Sequence, residues 1–306
     1  GLYKTIDELP SPYLRGTVPV KAASEIGTLT SRGCAQRCTF CQFAALRQWK
    51  VRLHSLDRVM ADFQAIGEGV PKGTLIKIYD DTFGMSPRRV RKICQRFKDE
   101  GLSEHLSFWC ETRADTVNRE LLELLYESGF RQISFGLESA VPRILRNIKK
   151  ARPVIKDDKF EHEIRFLQSM RQNVANAKDI GFWVDTSIIT GLPGETLEDG
   201  IETVRFVEEL EVDSYVHNYL NVHMGTEMYE TYKDYGLDVK PFLEYGGITR
   251  TEYTYDVSKV PVLDHAFISS DAKRIARVIS GRFGRQNHPC PSAIILDTPH
   301  EKDISE

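Results

Sequence analysis

Three cysteines fall within eight residues, in the run Cys34-Ala-Gln-Arg-Cys38-Thr-Phe-Cys41. Cys-x3-Cys-x2-Cys spacing places three thiolates on one short loop. Three thiolates can hold three irons of a 4Fe–4S cube and leave the fourth iron open to a small molecule. An electron-transfer ferredoxin supplies four cysteines instead, and a structural zinc site uses four protein ligands, often in two separated pairs. Zinc completed by a distant His or Asp, or thiols without any metal, are the alternatives this spacing leaves. Cys94, Cys110 and Cys290 are scattered. A disulfide framework belongs to short secreted chains with paired cysteines. A chain of 306 residues with clustered cysteines fits a metal site in a reducing cytoplasm.

Something must position that loop. Hydrophobic residues make up 41% of the chain and charged residues 28%, which is ordinary for a globular protein. The 41 basic and 44 acidic side chains leave a formal net charge of −3, which argues against tRNA, another polyanion or a membrane surface as partner. No apolar run approaches the roughly 20 residues of a membrane-spanning helix. The start, Gly1-Leu2-Tyr3-Lys4-Thr5, lacks both an initiator Met and a secretory pattern. The expectation is a chain that was processed, tagged and cleaved, or cut from something longer.

Hydrophobic periodicity predicts strands at 25–32, 74–80, 106–112, 131–137, 182–190 and 213–222. Helices are expected at 55–68, 86–100, 117–128, 141–149, 161–179, 196–210 and 226–235. Six β-then-α units in series imply parallel strands with crossover helices. Six are too few for a closed eight-unit barrel, so the expected fold is α/β, a partial (β/α)6 TIM-like barrel open on one side. It would occupy residues 25–236, between a linker-like segment (1–24) and a C-terminal extension (237–306) with one helix near 268–282. Residues 150–160 read as an insertion or mobile loop. Local signals support the boundaries: Pro87 opening a helix, Gly101 and Gly129 closing two, and Thr196 with Asp199 as a capping box.

In such barrels chemistry sits at the C-terminal ends of the strands. The unusual residues fall there: the cysteine loop after the first strand, Asp80-Asp81-Thr82-Phe83 after the second and Glu111-Thr112-Arg113 at the end of the third. Gly136-Leu137-Glu138-Ser139 ends the fourth strand, Gly191-Leu192-Pro193-Gly194-Glu195 follows the fifth, and His223 ends the sixth.

The triplet, with the aromatic Phe40 before its last Cys, resembles the signature of radical S-adenosylmethionine (SAM) enzymes. Thr30-Ser31-Arg32-Gly33 through Cys41, Asp80-Asp81-Thr82-Phe83, Ile133 to Ser139 and Gly191 to Thr196 resemble the branch whose members often carry an N-terminal cobalamin-binding domain. The resemblance covers roughly residues 25–236. It implies that Cys34, Cys38 and Cys41 bind a 4Fe–4S cluster and that SAM chelates its open iron. One electron, from a reductant such as flavodoxin or ferredoxin, cleaves the sulfonium to a 5′-deoxyadenosyl radical. That radical takes hydrogen from a substrate, expected to be a small molecule or natural-product intermediate.

The resemblance also implies roles. Glu111 would hold the ribose or amino group of SAM, and Arg113 its carboxylate, a bidentate match; the bland alternative is a strand-end ion pair. Asp80 or Asp81 would accept from the SAM ammonium, or else cap the next helix. Gly136 would let backbone approach ligand, beside Glu138. Ser139 resembles a SAM-carboxylate contact, and Ile188 to Gly191 would offer backbone to the adenine. His217, Tyr219, Asn221 and His223 alternate along the last strand. They form a substrate face if they point into the barrel, or a solvent-facing edge if they do not. Cys290 is either a hydrogen-atom donor or an inert thiol.

The resemblance stops at cobalamin. The Asp-x-His-x2-Gly motif of a cobalamin-binding domain is absent, yet Ile6 to Leu14 resembles the linker that follows one. Cobalamin enters only if a missing N-terminal domain supplies it, which would make the chain the catalytic part of a methyltransferase. A zinc-stabilised scaffold is the non-enzyme alternative.

Overall fold

The computed structural model describes residues 5–23, 25–43, 50–151, 159–223, 225–231 and 234. Cys290 and the whole of the expected 237–306 extension lie outside them, as do parts of the loops after Phe43 and Ala151.

Six strands form one parallel sheet: β1 (Ile26–Thr28), β4 (Thr74–Ile78), β5 (Leu106–Thr112), β6 (Phe130–Glu138), β7 (Trp183–Thr190) and β8 (Ser214–Tyr219), in that order. Crossover helices α1 (Leu56–Gly67), α2 (Pro87–Asp99), α4 (Arg119–Glu127), α6 (Glu161–Ile180) and α7 (Leu197–Leu210) return the chain to each next strand. This is the expected partial barrel, with β1 and β8 at its open edges. The short helices α3 (Leu102–His105), α5 (Pro142–Asn147) and α8 (Glu227–Glu230) complete the set.

The helix starts follow from local chemistry. Ser55 accepts from the Arg58 amide, Asn118 accepts from the Leu121 amide, and Thr196 and Asp199 form a reciprocal capping box. Each satisfies amides that a helix start leaves without partners.

Strand alternation sorts side chains between two layers. Phe108, Cys110, Ile133, Phe135, Val184 and Ile188 point to the helices and are buried with Phe63, Phe97 and Val174. Phe63, Phe97, Phe108 and Phe130 pack ring against ring there, with centroids 4.4–6.4 Å apart. The alternate positions, Trp109, Glu111, Ser134, Asp185 and Ser187, share the opposite face, the barrel interior; cross-strand partners are Glu111 with Ser134 and Ser134 with Asp185.

Several boundaries differ from the sequence-based expectation; β4 stops at Ile78, two residues early, and α8 ends at Glu230. The stretch 25–32 is two elements: β1 ends at Thr28, and β2 (Ser31–Arg32) pairs antiparallel with β3 (Arg52–Leu53) in a separate ribbon. The break is imposed by Asp80, whose carboxylate pulls Thr30 and Ser31 out of the sheet line. β8 stops at Tyr219, three residues early. Lys150 and Ala151, read as the start of a loop, are buried at 6% and 1% exposure.

The linker-like start is docked on the barrel. Asp7 bonds His54 Nδ1 at 2.8 Å and accepts from the Ser55 amide, and Arg58 donates to the Leu9 carbonyl at 2.8 Å. The Tyr13 hydroxyl donates to the Gly27 carbonyl on edge strand β1.

Candidate active site at the barrel mouth

The cysteine loop leaves β2 and crosses the C-terminal mouth. Gly33 starts it with φ +102°, and a Cβ there would sit 1.8 Å from the Lys50 carbonyl oxygen, so only glycine fits. Asp80 and Asp81 anchor the near side. Asp80 accepts four hydrogen bonds: from Thr30 N and Oγ1, both at 2.6 Å, and from Ser31 N at 2.9 Å and Oγ at 2.7 Å. Burial pushes its carboxyl up, against the pull of those bonds. Asp81 accepts from the Gly33 amide at 2.5 Å. The expectation that one aspartate faces SAM or caps α2 meets a different arrangement, in which both hold the approach to Cys34.

The far side is tied across the mouth. The Thr39 amide donates to the Ile148 carbonyl at 3.0 Å, and the Thr39 carbonyl accepts from the Met228 amide at 3.0 Å. Phe40 packs with Ile144, Ile148, Leu192, Leu220 and Val222. Phe40 is thus an apolar anchor for the loop. Cys34 is buried, with Sγ 3.3 Å from Thr82 Oγ1, while Cys38 and Cys41 are half-buried; no disulfide joins them.

Charges collect beside Cys38. Arg113 is buried and bidentate to Asp115, at 2.8 and 2.7 Å, and donates to the Lys150 carbonyl at 2.8 Å. Arg113 thus finds its ion-pair partner in Asp115, two residues on. Lys150 Nζ bonds Glu138 at 2.8 Å, with both side chains less than a tenth exposed. Both cations lie over the Phe166 ring, at 5.4 and 5.9 Å. Burial works against the Lys150 charge, while Glu138 and Cys38 favour it, and the ammonium stays above its usual range. Loss of hydration raises the Cys38 thiol, while Lys150 and Arg113 pull it down.

Glu138 adopts φ +69° at a bulge between β6 and β7, a costly conformation for a side-chain-bearing residue. Gly136 makes room for the pair, since a Cβ there would lie 2.8 Å from Lys150 Nζ and 2.9 Å from Glu138 Oε1. Glu111, the expected SAM contact, stands at the open mouth. Loss of hydration inside the barrel and the Glu138 charge push its carboxyl up to about 7.

Other expected residues take protein partners. Ser139 is buried, lies 3.4 Å from Thr203 Oγ1 and accepts from the Val141 amide at 3.2 Å, which ties the β6 end to α5 and α7. Ile188 sends its side chain into the helix-facing core, leaving only its backbone for a ligand. Gly191 is bound by Glu195, which accepts from the Gly191 amide at 2.5 Å and the Leu192 amide at 3.3 Å. Burial raises the Glu195 carboxyl to about 8.

The last strand contradicts the interior substrate face. His217 pairs in register with Ile188 and Tyr219 with Thr190; both partners lie on the helix side. The Thr190 hydroxyl and His217 Nε2 are 2.8 Å apart, and burial lowers the His217 imidazole to about 4. Val216 and Asn218, in register with Ser187 and Ile189, share the interior face instead. Polarity alternates along this strand, and register with β7 decides which set looks inward. Asn221 and His223 follow the strand end, half-buried at the mouth.

Lys150 is the residue that sequence reasoning missed. Its signal was weak: a second Lys after α5, in a stretch that reads as loop. Its partner Glu138 lies 12 positions earlier.

Three thiolates on one loop are the kind of donor set a 4Fe–4S cluster takes, one per iron. Zinc–sulfur bonds of about 2.3 Å bring thiolates close together around one ion. Among the described residues no three His, Cys, Asp or Glu side chains converge in that way. Two buried cations beside Cys38 suit an anionic group. Thr39 Oγ1 and His223 Nδ1 are buried without hydrogen-bond partners among the described residues; a cluster-edge sulfur or a bound ligand would satisfy such atoms.

Comparisons with known proteins agree. An uncharacterised methyltransferase of Pyrococcus horikoshii is 30% identical over 75% of this chain and 47% of its own length. Cytidylyl-2-hydroxyethylphosphonate methyltransferase of Streptomyces wedmorensis is 29% identical over 68% of this chain and 36% of its own. The chain thus spans about half or less of these relatives. Among solved structures, the radical SAM methyltransferase TsrM of Kitasatospora setae, with cobalamin and a [4Fe-4S] cluster bound, shares the fold. It has a TM-score of 0.59 and 18% identity over 68% of this chain and 39% of that one. Coproporphyrinogen III oxidase of Escherichia coli does so at a TM-score of 0.52 and 15% identity, over 74% and 51%. The family model described as the radical SAM superfamily matches residues 28–207, and the chain belongs to that superfamily.

Proposed function

We propose that the barrel mouth binds SAM against a cluster held by Cys34, Cys38 and Cys41, and that the radical made there takes hydrogen from a small-molecule or natural-product substrate. The observation that carries this reading is the anchored cysteine loop with Arg113 and Lys150 buried beside Cys38. When bound, the cluster supplies one-electron chemistry that cleaves the SAM sulfonium to a 5′-deoxyadenosyl radical.

The chain's own groups do the rest. Asp80 and Asp81 fix the near side of the loop, and Ile148 and Met228 fix the far side. Arg113 and Lys150 balance negative charge at the site. The Glu111 carboxylate, with no hydrogen-bond or ion-pair partner among the described residues, stands at the open mouth in position to accept from the amino group or ribose of SAM. The β-sheet and the crossing loop keep water away. A small reducing protein of the flavodoxin or ferredoxin type would deliver the electron, in a reducing compartment such as the cytoplasm.

Anaerobic reconstitution with iron and sulfide, followed by SAM and dithionite, tests the reading. Production of 5′-deoxyadenosine is the expected result; zinc binding with no SAM cleavage would overturn it.

A second reading, methyl transfer, is favoured by the printed names of the relatives. The chain would then act as the radical SAM part of a longer protein that supplies cobalamin. S-adenosylhomocysteine appearing beside 5′-deoxyadenosine once cobalamin and a methyl acceptor are present would select it.

A further inference from the structure

The ribbon that leads into the cysteine loop is too small to support itself. β2 and β3 contribute two residues each and lie outside the main sheet, and an isolated pair of strands is marginal in water. β2 nevertheless runs directly into Gly33 and Cys34. Asp80 and Asp81 hold the β2 side. The β3 side has one buried anchor: from Lys50 to Ser55 every residue except His54 is exposed, and His54 is 5% exposed.

His54 is gripped by the segment 5–13. The 3-10 turn Ile6–Glu8 is closed by a capping box between Thr5 and Glu8, with Ile6 buried. From that turn Asp7 Oδ1 accepts from His54 Nδ1 at 2.8 Å and from the Ser55 amide at 3.1 Å. Arg58, in the first turn of α1, donates to the Asp7 carbonyl at 3.2 Å and the Leu9 carbonyl at 2.8 Å. Its guanidinium is fixed in turn by Asp62, at 3.0 Å. The backbone of His54 passes the grip on. Its amide donates to the Thr30 carbonyl at 3.1 Å. Arg89 of α2 donates to the His54 carbonyl at 2.6 Å and to the Thr30 carbonyl at 3.2 Å. Thr30 is also the residue whose amide and hydroxyl Asp80 receives. One set of contacts therefore runs from Asp7 through His54 and Thr30 into β2, and β2 ends two residues before Cys34.

We propose that the segment 5–13 is a strap for the cluster loop and that Asp7 is its positioning residue: by fixing His54, Asp7 keeps the β2–β3 ribbon closed and Cys34 in place to hold iron. The inference rests on the reading that Cys34, Cys38 and Cys41 hold a 4Fe–4S cluster. A ribbon with few buried groups opens locally, without unfolding of the whole domain. Each opening moves Cys34 and exposes the iron it binds to water and to chelators. Asp7 acts on that local equilibrium, whereas a helix cap elsewhere acts on the stability of the fold. The two kinds of loss are therefore separable by experiment.

The test compares the parent full chain with Asp7→Ala, Asp7→Asn and Asn118→Ala, the last of which removes the acceptor at the start of α4. Two rates are read. One is hydrogen exchange at the amides of residues 30–34 and 52–55 in the metal-free chain. The other is loss of iron to excess bathophenanthroline after anaerobic reconstitution. Asp7→Ala takes a charged acceptor from two donors and is expected to speed both rates about tenfold. Asp7→Asn keeps an oxygen for both donors, a weaker one because it is uncharged, and is expected to recover most of that difference. Asn118→Ala is expected to lower the thermal midpoint and leave both rates at the parent values. Parent-like rates in Asp7→Ala, or equal acceleration in Asn118→Ala, overturn the proposal. If Asp7→Ala fails to fold, Asp7→Ser, whose shorter side chain withdraws from His54, decides by the same two rates. A parent chain that takes up no iron refutes the cluster reading, while exchange in the metal-free chain still decides whether the strap holds the ribbon.

Discussion

The β5–β6 rim and the β7–β8 edge of the barrel carry similar polar patterns in sequence and opposite arrangements in space. At the first, Glu111, Glu138, Arg113 and Lys150 gather around the mouth, the last three near enough to Cys38 for their charges to act on it. At the second, His217 and Tyr219 turn toward the helices, and His217 is consumed by Thr190. The difference is register. A parallel strand inherits its faces from its neighbour, and a one-residue change in pairing exchanges them. The rim escapes that rule through a bulge that costs backbone strain, and such departures concentrate at functional sites.

This contrast can be broken at several points. The largest effect is expected from Asp80→Ala. It strips the partner from four donors on Thr30 and Ser31, a loss of about 3 kcal/mol or more. Iron loading should fall with stability, as read by metal analysis and urea unfolding. Full loading in a destabilised variant would detach Asp80 from the cysteine loop.

Gly136→Ala comes next. Its Cβ would press on both charged groups of the Glu138–Lys150 pair, at a cost of about 1–3 kcal/mol. SAM cleavage should drop more than unfolding alone explains, because the displaced charges lie beside the cluster loop.

His217→Val probes the other edge. Losing the Thr190 contact should cost about 1 kcal/mol while SAM cleavage stays within twofold of the parent. A tenfold loss of cleavage would return His217 to the site and undo the comparison.

The smallest effect at acidic pH is expected from Glu195→Gln, and its pH dependence carries the information. The folded Glu195 carboxyl sits near 8, above the roughly 4.3 of an unfolded chain. The folded state therefore binds the extra proton, and stability falls as pH rises from about 4.3 to 8. Glutamine still accepts from the Gly191 amide and removes that slope. The variant should match the parent near pH 4 and gain on it up to pH 8–9 in thermal unfolding; parallel curves would contradict the buried, protonated state.

What the sequence revealed and hid follows from range. Helix starts at Ser55, Asn118 and Thr196 are written within four residues, and the alternation of strand and helix is a local period, so six parallel strands were legible. The partners of Asp80 lie about 50 positions away, and nothing near Asp80-Asp81 distinguishes a loop anchor from a ligand contact. Lys150 was hidden because its role depends on a bulge 12 residues earlier. Ser139 matched a family pattern, but its hydroxyl is spent on Thr203 and the Val141 amide. The side to which His217 points is a property of β7 and β8 together, invisible in either strand alone. Chemistry spelled out by spacing, as in Cys34, Cys38 and Cys41, survives; chemistry inferred from alternation needs the register.

The most direct test of the central claim is the electron paramagnetic resonance spectrum of the dithionite-reduced, reconstituted chain with and without SAM. Three cysteine ligands leave one iron open, so SAM should change the spectrum, and Cys34→Ala, Cys38→Ala and Cys41→Ala should each abolish the signal. A cluster spectrum indifferent to SAM, or one that survives loss of any of the three cysteines, would contradict the assignment.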